Sequence, residues 1–314
     1  NVSKSVLQNR PNMNVVMLDT QVYSNTGGQN SDSSPMPGGG DMNALGAATQ
    51  GKMTEKKSVS EILSVGHGSP FIAQLSMANS GKFFRAIMDG IEYRGVSFFQ
   101  SFTTCQPEHG VGDSMSTVQA TRIRNGRGMP DFIFNPTLGE TGPEAIDIRS
   151  NPSHNRDWHQ EKSPLREDKY TYTVAHWAVT EARFRRHHRA AKAGEGTISL
   201  TDFILRLNQN DVVNRRHLRK GHRAHTPDFE VYIDVDTEGG KVQRRVLSRQ
   251  MVLFCVERRK AWRMLQSRAG VKNLDYIAQK ALLAKVDRGR IDLDEFLSRT
   301  AELMEDELAA LRAK

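Results

Sequence analysis

Residues 16–29 read Val-Met-Leu-Asp-Thr-Gln-Val-Tyr-Ser-Asn-Thr-Gly-Gly-Gln. The apolar run Val15, Val16, Met17, Leu18 stops at Asp19 and Thr20. A short, continuous run of this kind predicts a strand buried on both faces of a parallel sheet. From Thr20 as far as Gly28 the residues are mostly small, polar and turn-prone. Backbone carbonyls, amides and a hydroxyl therefore gather at the carboxyl end of the strand, where open α/β sheets bind their ligands. Oxygens of this sort are hard donors suited to Mg2+. The passage 24–41, rich in Gly, Pro, Ser and Asn, is too long for a plain connection, and long loops in compact domains are commonly functional.

Further strands are predicted at 71–77 and 96–103 beside the first at 14–18, with helical apolar spacing at 60–65 and 81–91 between them. That alternation implies an α/β fold, a parallel sheet with helices on both faces. From about Gly110 the character changes. Residues 150–169 are polar, charged and Pro-bearing, and read as a boundary or an extended arm. Next, 173–192 reads as a basic helix with Val174, Trp177, Ala178, Glu181 and Phe184 on one buried face. A hairpin is expected at 229–235 and 242–247, turned by Glu238, Gly239 and Gly240. Three helices come after it at 250–268, 274–286 and 293–311, the last with Phe296, Leu297, Met304, Leu308 and Leu311 on one stripe. The expected division is a first domain at 1–149 and a mostly helical α+β carboxyl-terminal extension at 150–314.

The chain has 314 residues, enough to bury a sizeable core, with a formal net charge of +8. Its two cysteines, Cys105 and Cys255, exclude a disulfide scaffold and a metal finger, and point to a reducing compartment, hence the cytoplasm. No apolar run approaches the length of a membrane span, and no signal peptide is visible. The clusters Arg183, Arg185, Arg186, His187, His188, Arg189 and Arg215, Arg216, His217, Arg219, Lys220 are basic but lack interleaved exposed aromatics. A solvated helix face or a contact between subunits is the expectation for them, and nucleic acid is not. His109 comes soon after Cys105, and either caps a turn or supports whatever that thiol binds.

Residues 18–29 closely resemble the second half of the thiamine-diphosphate motif of the pyruvate:ferredoxin (flavodoxin) oxidoreductases. Its usual form is Leu-Asp-Thr-Glu-Val-Tyr-Ser-Asn-Thr-Gly-Gly-Gln, so only Gln21 differs. The resemblance implies a thiamine-diphosphate-binding, transketolase-like domain. It also implies that Thr20 gives a side-chain oxygen and Val22 a backbone oxygen to the Mg2+ that grips the diphosphate. Asn25 would lie over the reactive thiazolium, and Tyr23, Gly27 and Gly28 would line the cofactor. A second segment, Phe-Thr-Thr-Cys-Gln-Pro-Glu-His-Gly at 102–110, looks like the family's Pro-Cys-x-x-His-Gly, with Thr104 in place of the usual Pro. There the cysteine is the distant fourth ligand of the [4Fe-4S] cluster nearest the thiamine, which implies that role for Cys105. Residues 126–136 resemble the family's Trp-Pro-Leu-Tyr-Arg-Tyr-Asn-Pro segment, which closes the thiamine domain.

The family's other magnesium ligand, an Asp in Gly-Asp-Gly, has no counterpart in 1–14, and the sequence begins without Met in what reads as a helix (Val2, Val6, Leu7). The expectation is a carboxyl-terminal piece of a longer enzyme, inactive by itself. The remaining cluster ligands, and the Glu that activates the cofactor, would then lie outside this chain. The implied activity is thiamine-dependent oxidation of a 2-oxoacid, most simply pyruvate, to acyl-CoA with coenzyme A. Electrons would pass through iron–sulfur clusters to ferredoxin or flavodoxin, in a homodimer. The alternative from another class is a non-catalytic scaffold or docking module that keeps the fold.

Overall fold

The structure is a computed structural model that describes residues 2–24, 26, 28–40, 51–66, 70–213 and 226–313. The candidate loop hangs from a five-stranded sheet made of β1 (Met13–Asp19), β2 (Phe71–Leu75), β3 (Val96–Phe102), β4 (Phe132–Phe134) and β5 (Ile146–Asp147). Their order is β1-β3-β2-β4-β5. As the α/β alternation predicts, β1, β3 and β2 run parallel, and helices Val59–Gly66 and Ser80–Glu92 lie between them in the chain. β4 and β5 are antiparallel additions, so the sheet is mixed and not wholly parallel. Apolar spacing sets which face of a strand is buried but carries no information on its direction.

β1 departs from expectation in a second way. It is the edge strand, and of its apolar residues Met13, Val15 and Met17 pack inward, against the cluster that holds Phe98, Ile72 and Leu63. Val16 and Leu18 are 66% and 70% exposed on the opposite face. The reason is coverage. Val16 is in register with Phe99, and Phe99 with Ala73. Helix Ser80–Glu92 lays Ala86, Phe83 and Ile87 over Phe99 and Ala73, but not over β1.

A two-stranded ribbon pairs β6 (His159–Glu161), inside the stretch read as an arm, with β7 (Tyr170–Tyr172), just beyond it. A second sheet of β8 (His188–Ala190), β9 (Ile198–Ser199), β10 (Val231–Asp236) and β11 (Val242–Leu247) has the order β8-β11-β10-β9. The β10–β11 hairpin is antiparallel, and its turn carries Gly240 at φ 69, the left-handed conformation that favours glycine.

The single basic helix expected at 173–192 does not form. Its place is taken by the short helix Val174–Ala178, the 3-10 turn Ala182–Phe184 and strand β8. Trp177 and Phe184 are both buried, as their spacing suggested, yet strand pairing of Arg189 and His188 with Val246 and Leu247 outweighs local helix propensity. Arg249–Arg268, Leu274–Asp287 and Leu293–Arg312 are the three closing helices. The stripe of the last is interrupted at Arg299, whose φ −120 and ψ 23 are not helical, and Leu297 stays exposed.

The largest apolar cluster joins Phe102, Ala120, Ile123 and Met129 to Trp177, Phe184, Val231, Phe254 and Cys255. Residues on both sides of position 149 thus share one core. No helix among the described residues is long and apolar enough to cross a membrane.

Candidate functional site: the loop after strand β1

Asp19, the last residue of β1, is 2% exposed and binds the Lys56 ammonium at 2.7 Å. Its Oδ2 also accepts from the Gln100 side-chain amide at 2.7 Å, and Gln100 Oε1 in turn accepts from the Ser60 hydroxyl. The second carboxylate oxygen accepts from the backbone N–H of Gln21 at 3.1 Å. Burial draws Lys56 below the ordinary lysine range, and Asp19 pulls the other way. A buried charge needs such partners. Asp19 is therefore the anchor of the loop, facing into the protein.

Beyond it the chain turns sharply, with Gln21 at φ 60. Three successive carbonyls then take different partners. That of Thr20 accepts from His109 Nε2 at 2.9 Å. That of Gln21 accepts from the Ser34 hydroxyl at 2.6 Å and from Arg183 Nη1 at 3.4 Å. The carbonyl of Val22 accepts from the Thr20 hydroxyl at 3.0 Å. This last distance is a test of fit. Mg2+ holds its oxygens at about 2.0–2.1 Å with near-octahedral angles, which separates adjacent ligand oxygens by about 2.9 Å. The 3.0 Å between Thr20 Oγ1 and the Val22 oxygen is that of an ordinary hydrogen bond, and it is also compatible with two neighbouring oxygens of such an ion.

The rest of the loop folds back on itself. Tyr23 and Gln29 exchange backbone hydrogen bonds at 2.9 and 3.0 Å, and the Tyr23 side chain is exposed. Gly28 has φ 59, and a Cβ there would come within 2.7 Å of the Glu108 carboxylate. At Gly40 a Cβ would meet the Gly28 carbonyl at 2.0 Å. Only glycine permits this backbone approach. Asn25 and Gly27 lie outside the described residues, as do Arg215, Arg216, His217, Arg219 and Lys220.

Cys105 is half-buried and precedes the short helix Gln106–His109. Three residues, Gln106, Pro107 and Glu108, separate it from His109. Cys255 is buried in its helix, and burial pushes its thiol well above the usual range. His109 is fully buried. Its ring serves the Thr20 carbonyl, which links the Cys105 segment to the loop after β1. Burial and the Arg183 cation push His109 down to about 2, so the ring is neutral and Nε2 carries the proton that Thr20 accepts. Among the described residues no group of three or more His, Cys, Asp or Glu is arranged to hold a metal ion. The oxygens in this turn that could hold a Mg2+ are the neutral ones of Thr20 Oγ1 and the Val22 carbonyl.

Sequence reasoning overlooked Lys56, and it misplaced Arg183. The guanidinium, read as part of a solvated basic face, is 6% exposed and inserted between Glu181 and Gln21. His187 is likewise buried, against Ser248. No local pattern marks Arg183, because its partner Gln21 is 162 positions away.

No protein-family model matches the chain. The pyruvate:ferredoxin oxidoreductase of Moorella thermoacetica is 30% identical over 156 residues, 49% of this chain and 13% of that protein. The probable pyruvate-flavodoxin oxidoreductase of Escherichia coli is 32% identical over 151 residues, 46% of this chain and 12% of the relative. The mitochondrial NADP+ pyruvate dehydrogenase of Euglena gracilis is 33% identical over 147 residues, 46% of this chain and 8% of the relative. The chain spans a small part of each of these proteins. It is a relative of the pyruvate:ferredoxin and pyruvate-flavodoxin oxidoreductases, matching a limited region of those large enzymes over about half of its own length.

Proposed function

We propose that this chain carries one side of the magnesium and thiamine-diphosphate site of a 2-oxoacid oxidoreductase, with pyruvate as the substrate. The observation that supports the reading is the pairing of Thr20 Oγ1 with the Val22 carbonyl oxygen at 3.0 Å, a separation two ligands of one Mg2+ also have, on a turn whose Thr20 and Gln21 carbonyls are tied inward. In this reading Thr20 and Val22 hold the Mg2+ of the diphosphate. Asn25 meets the thiazolium, and Tyr23, Gly27 and Gly28 line the cofactor. Bound thiamine diphosphate supplies the nucleophilic carbon that takes up the 2-oxoacid and the electrons left after loss of CO2. The chain's own part is to hold the cofactor, keep the diphosphate end rigid through Asp19, and offer Cys105 as a thiolate ligand of a [4Fe-4S] cluster. The cluster's other ligands come from outside this chain, since Cys255 is buried in the core.

Acetyl-CoA formation with coenzyme A, electron delivery to ferredoxin or flavodoxin, and a homodimeric enzyme are inferred from the names of the relatives and the family resemblance. Both described cysteines are free thiols, which fits a reducing, cytoplasmic setting. Residues 1–149 form the thiamine-binding part and 150–314 an extension packed on it.

The test is Thr20→Val in the enzyme that carries this chain. It keeps the side-chain shape and removes one magnesium oxygen. The apparent affinity for thiamine diphosphate should fall by about tenfold or more, with partial recovery at raised Mg2+. Unchanged affinity and magnesium dependence would mean that the loop does not hold the cofactor.

A further inference from the structure

The turn that presents Thr20 Oγ1 and the Val22 carbonyl is held by a partial circuit of buried polar groups. Arg183 Nε donates to Glu181 Oε2 at 2.7 Å, and its Nη2 donates to Gln21 Oε1 at 3.0 Å. Nη1 reaches the Gln21 carbonyl at 3.4 Å. The other oxygen of Glu181 stands 3.6 Å from His109 Nδ1, too far to bond it, and neither atom has a hydrogen-bond partner among the described residues, while the far side of the His109 ring donates to the Thr20 carbonyl. Glu181, Arg183 and His109 are all buried. The Arg183 carbonyl accepts from the Gly39 N–H at 2.9 Å, which ties the far end of the same loop to the same residue. Beside them the guanidinium lies over the Trp177 and Phe184 rings, at 5.4 and 5.2 Å from their centroids.

Two features give this circuit a purpose beyond packing. Gln21 sits in left-handed backbone conformation, which a non-glycine residue adopts only under external constraint. The constraint comes from Arg183 and Asp19. In addition, the carbonyls of Thr20 and Gln21 are both drawn into the protein, while the Thr20 hydroxyl and the Val22 carbonyl stay paired with each other. Gln21 is also the one position in 18–29 that departs from the usual motif, and its Oε1 is the atom that Arg183 holds.

We infer that Arg183, braced by Glu181, is a positioning residue: a clamp supplied by the carboxyl-terminal extension that sets the turn whose oxygens would hold the metal diphosphate. The inference rests on the cofactor reading above for its meaning, but the clamp itself is a property of the chain alone. Lysine could keep the charge pair with Glu181, yet it lacks the planar fork that reaches Gln21 at the same time. Glutamate at position 21 would still offer Arg183 an acceptor, and it removes the Gln21 Nε2 donor that has no partner among the described residues.

Amide hydrogen exchange on the 314-residue chain, comparing wild type, Arg183→Lys, Gln21→Ala and Gln21→Glu, tests this. In Arg183→Lys and Gln21→Ala the amides of Gln21 to Ser24 should exchange about tenfold faster or more, while the β10–β11 hairpin keeps its wild-type protection. Gln21→Glu should keep the loop protected. The clamp is overturned if Arg183→Lys leaves loop exchange unchanged. It is equally overturned if Arg183→Lys speeds loop and hairpin alike, or if Gln21→Ala has no local effect. Repeating the exchange with Mg2+ and thiamine diphosphate on the same four variants of the enzyme that carries this chain, where the rest of the site is present, separates the two proposals. Added ligand should slow exchange at Gln21 to Ser24 in wild type and Gln21→Glu, and less in Arg183→Lys. If it slows exchange in none of the four proteins, the cofactor reading fails, and the ligand-free comparison still decides on the clamp.

Discussion

At the scale of single residues, the molecule separates two thiols and buries the carboxyl of Asp131. Cys105 is half-buried at a helix start, whereas Cys255 is buried in the core. On the cluster reading proposed above, Cys105→Ser in the enzyme that carries this chain should lower iron per protein or change the reduced-state paramagnetic spectrum, while Cys255→Ser leaves both untouched. Equal iron content and spectra in the two variants would end the ligand role of Cys105. Asp131 offers a pH test. It is 1% exposed, one of its carboxyl oxygens has no partner among the described residues, and burial pushes it up to about 7 from 3.8. The folded chain thus binds this proton more tightly than the unfolded chain. The group's contribution is most favourable below the unfolded value, declines as pH rises from about 3.8 to about 7, and is a full penalty of about 4 kcal/mol above that. Asp131→Asn cannot ionise. Its stability relative to wild type, from urea unfolding, should improve by about 2–3 kcal/mol between pH 5 and pH 8.

At the scale of elements, β1 and its loop depend on the buried Asp19–Lys56 pair more than on the strand's own packing. Three of the seven β1 residues, Asn14, Val16 and Leu18, are exposed, and the strand is held by its ladder to β3 on one side only. Lys56→Met would leave Asp19 buried with amide donors but no cation. A loss of about 3–5 kcal/mol is expected, as when one partner of a buried pair is removed. Adding Asp19→Asn should return much of it, because the remaining group is then neutral and still bonded by Gln100. Chemical denaturation of both variants reads the two values. A loss below about 1 kcal/mol for Lys56→Met alone would show that the pair does not anchor the loop.

At the scale of the whole molecule, the core shared by Phe102, Ile123, Met129, Trp177 and Phe254 makes the two stretches mutually dependent. Removing 150–314 would uncover Phe102 and Ile123, which are 3% and 1% exposed, and take away the Arg183 clamp. Residues 1–149 alone should show no cooperative thermal unfolding and should bind a hydrophobic dye, whereas the whole chain unfolds in a sigmoidal transition. Cooperative melting of the shorter piece would show instead that the first stretch has a sufficient core of its own.

Much of this architecture is written in neighbouring residues. Helices Val59–Gly66 and Ser80–Glu92, the strands β1 to β3, the β10–β11 hairpin and the three closing helices all arise from apolar spacing and turn chemistry within a few positions. The oxygen spacing of the candidate site is legible for the same reason, since Thr20 and Val22 are two residues apart on one turn. Other features depended on contacts that no local pattern encodes. The exposed face of β1 arises because helix Ser80–Glu92 covers β2 and β3 only. The direction of β4 and β5, and the break-up of 173–192 into a helix, a 3-10 turn and a strand, are decided by pairing partners. Lys56 and Arg183 look like ordinary surface cations in the sequence. They become buried anchors of one loop only when chain segments 37 and 162 positions away fold against them, where low polarity makes each charge require its partner.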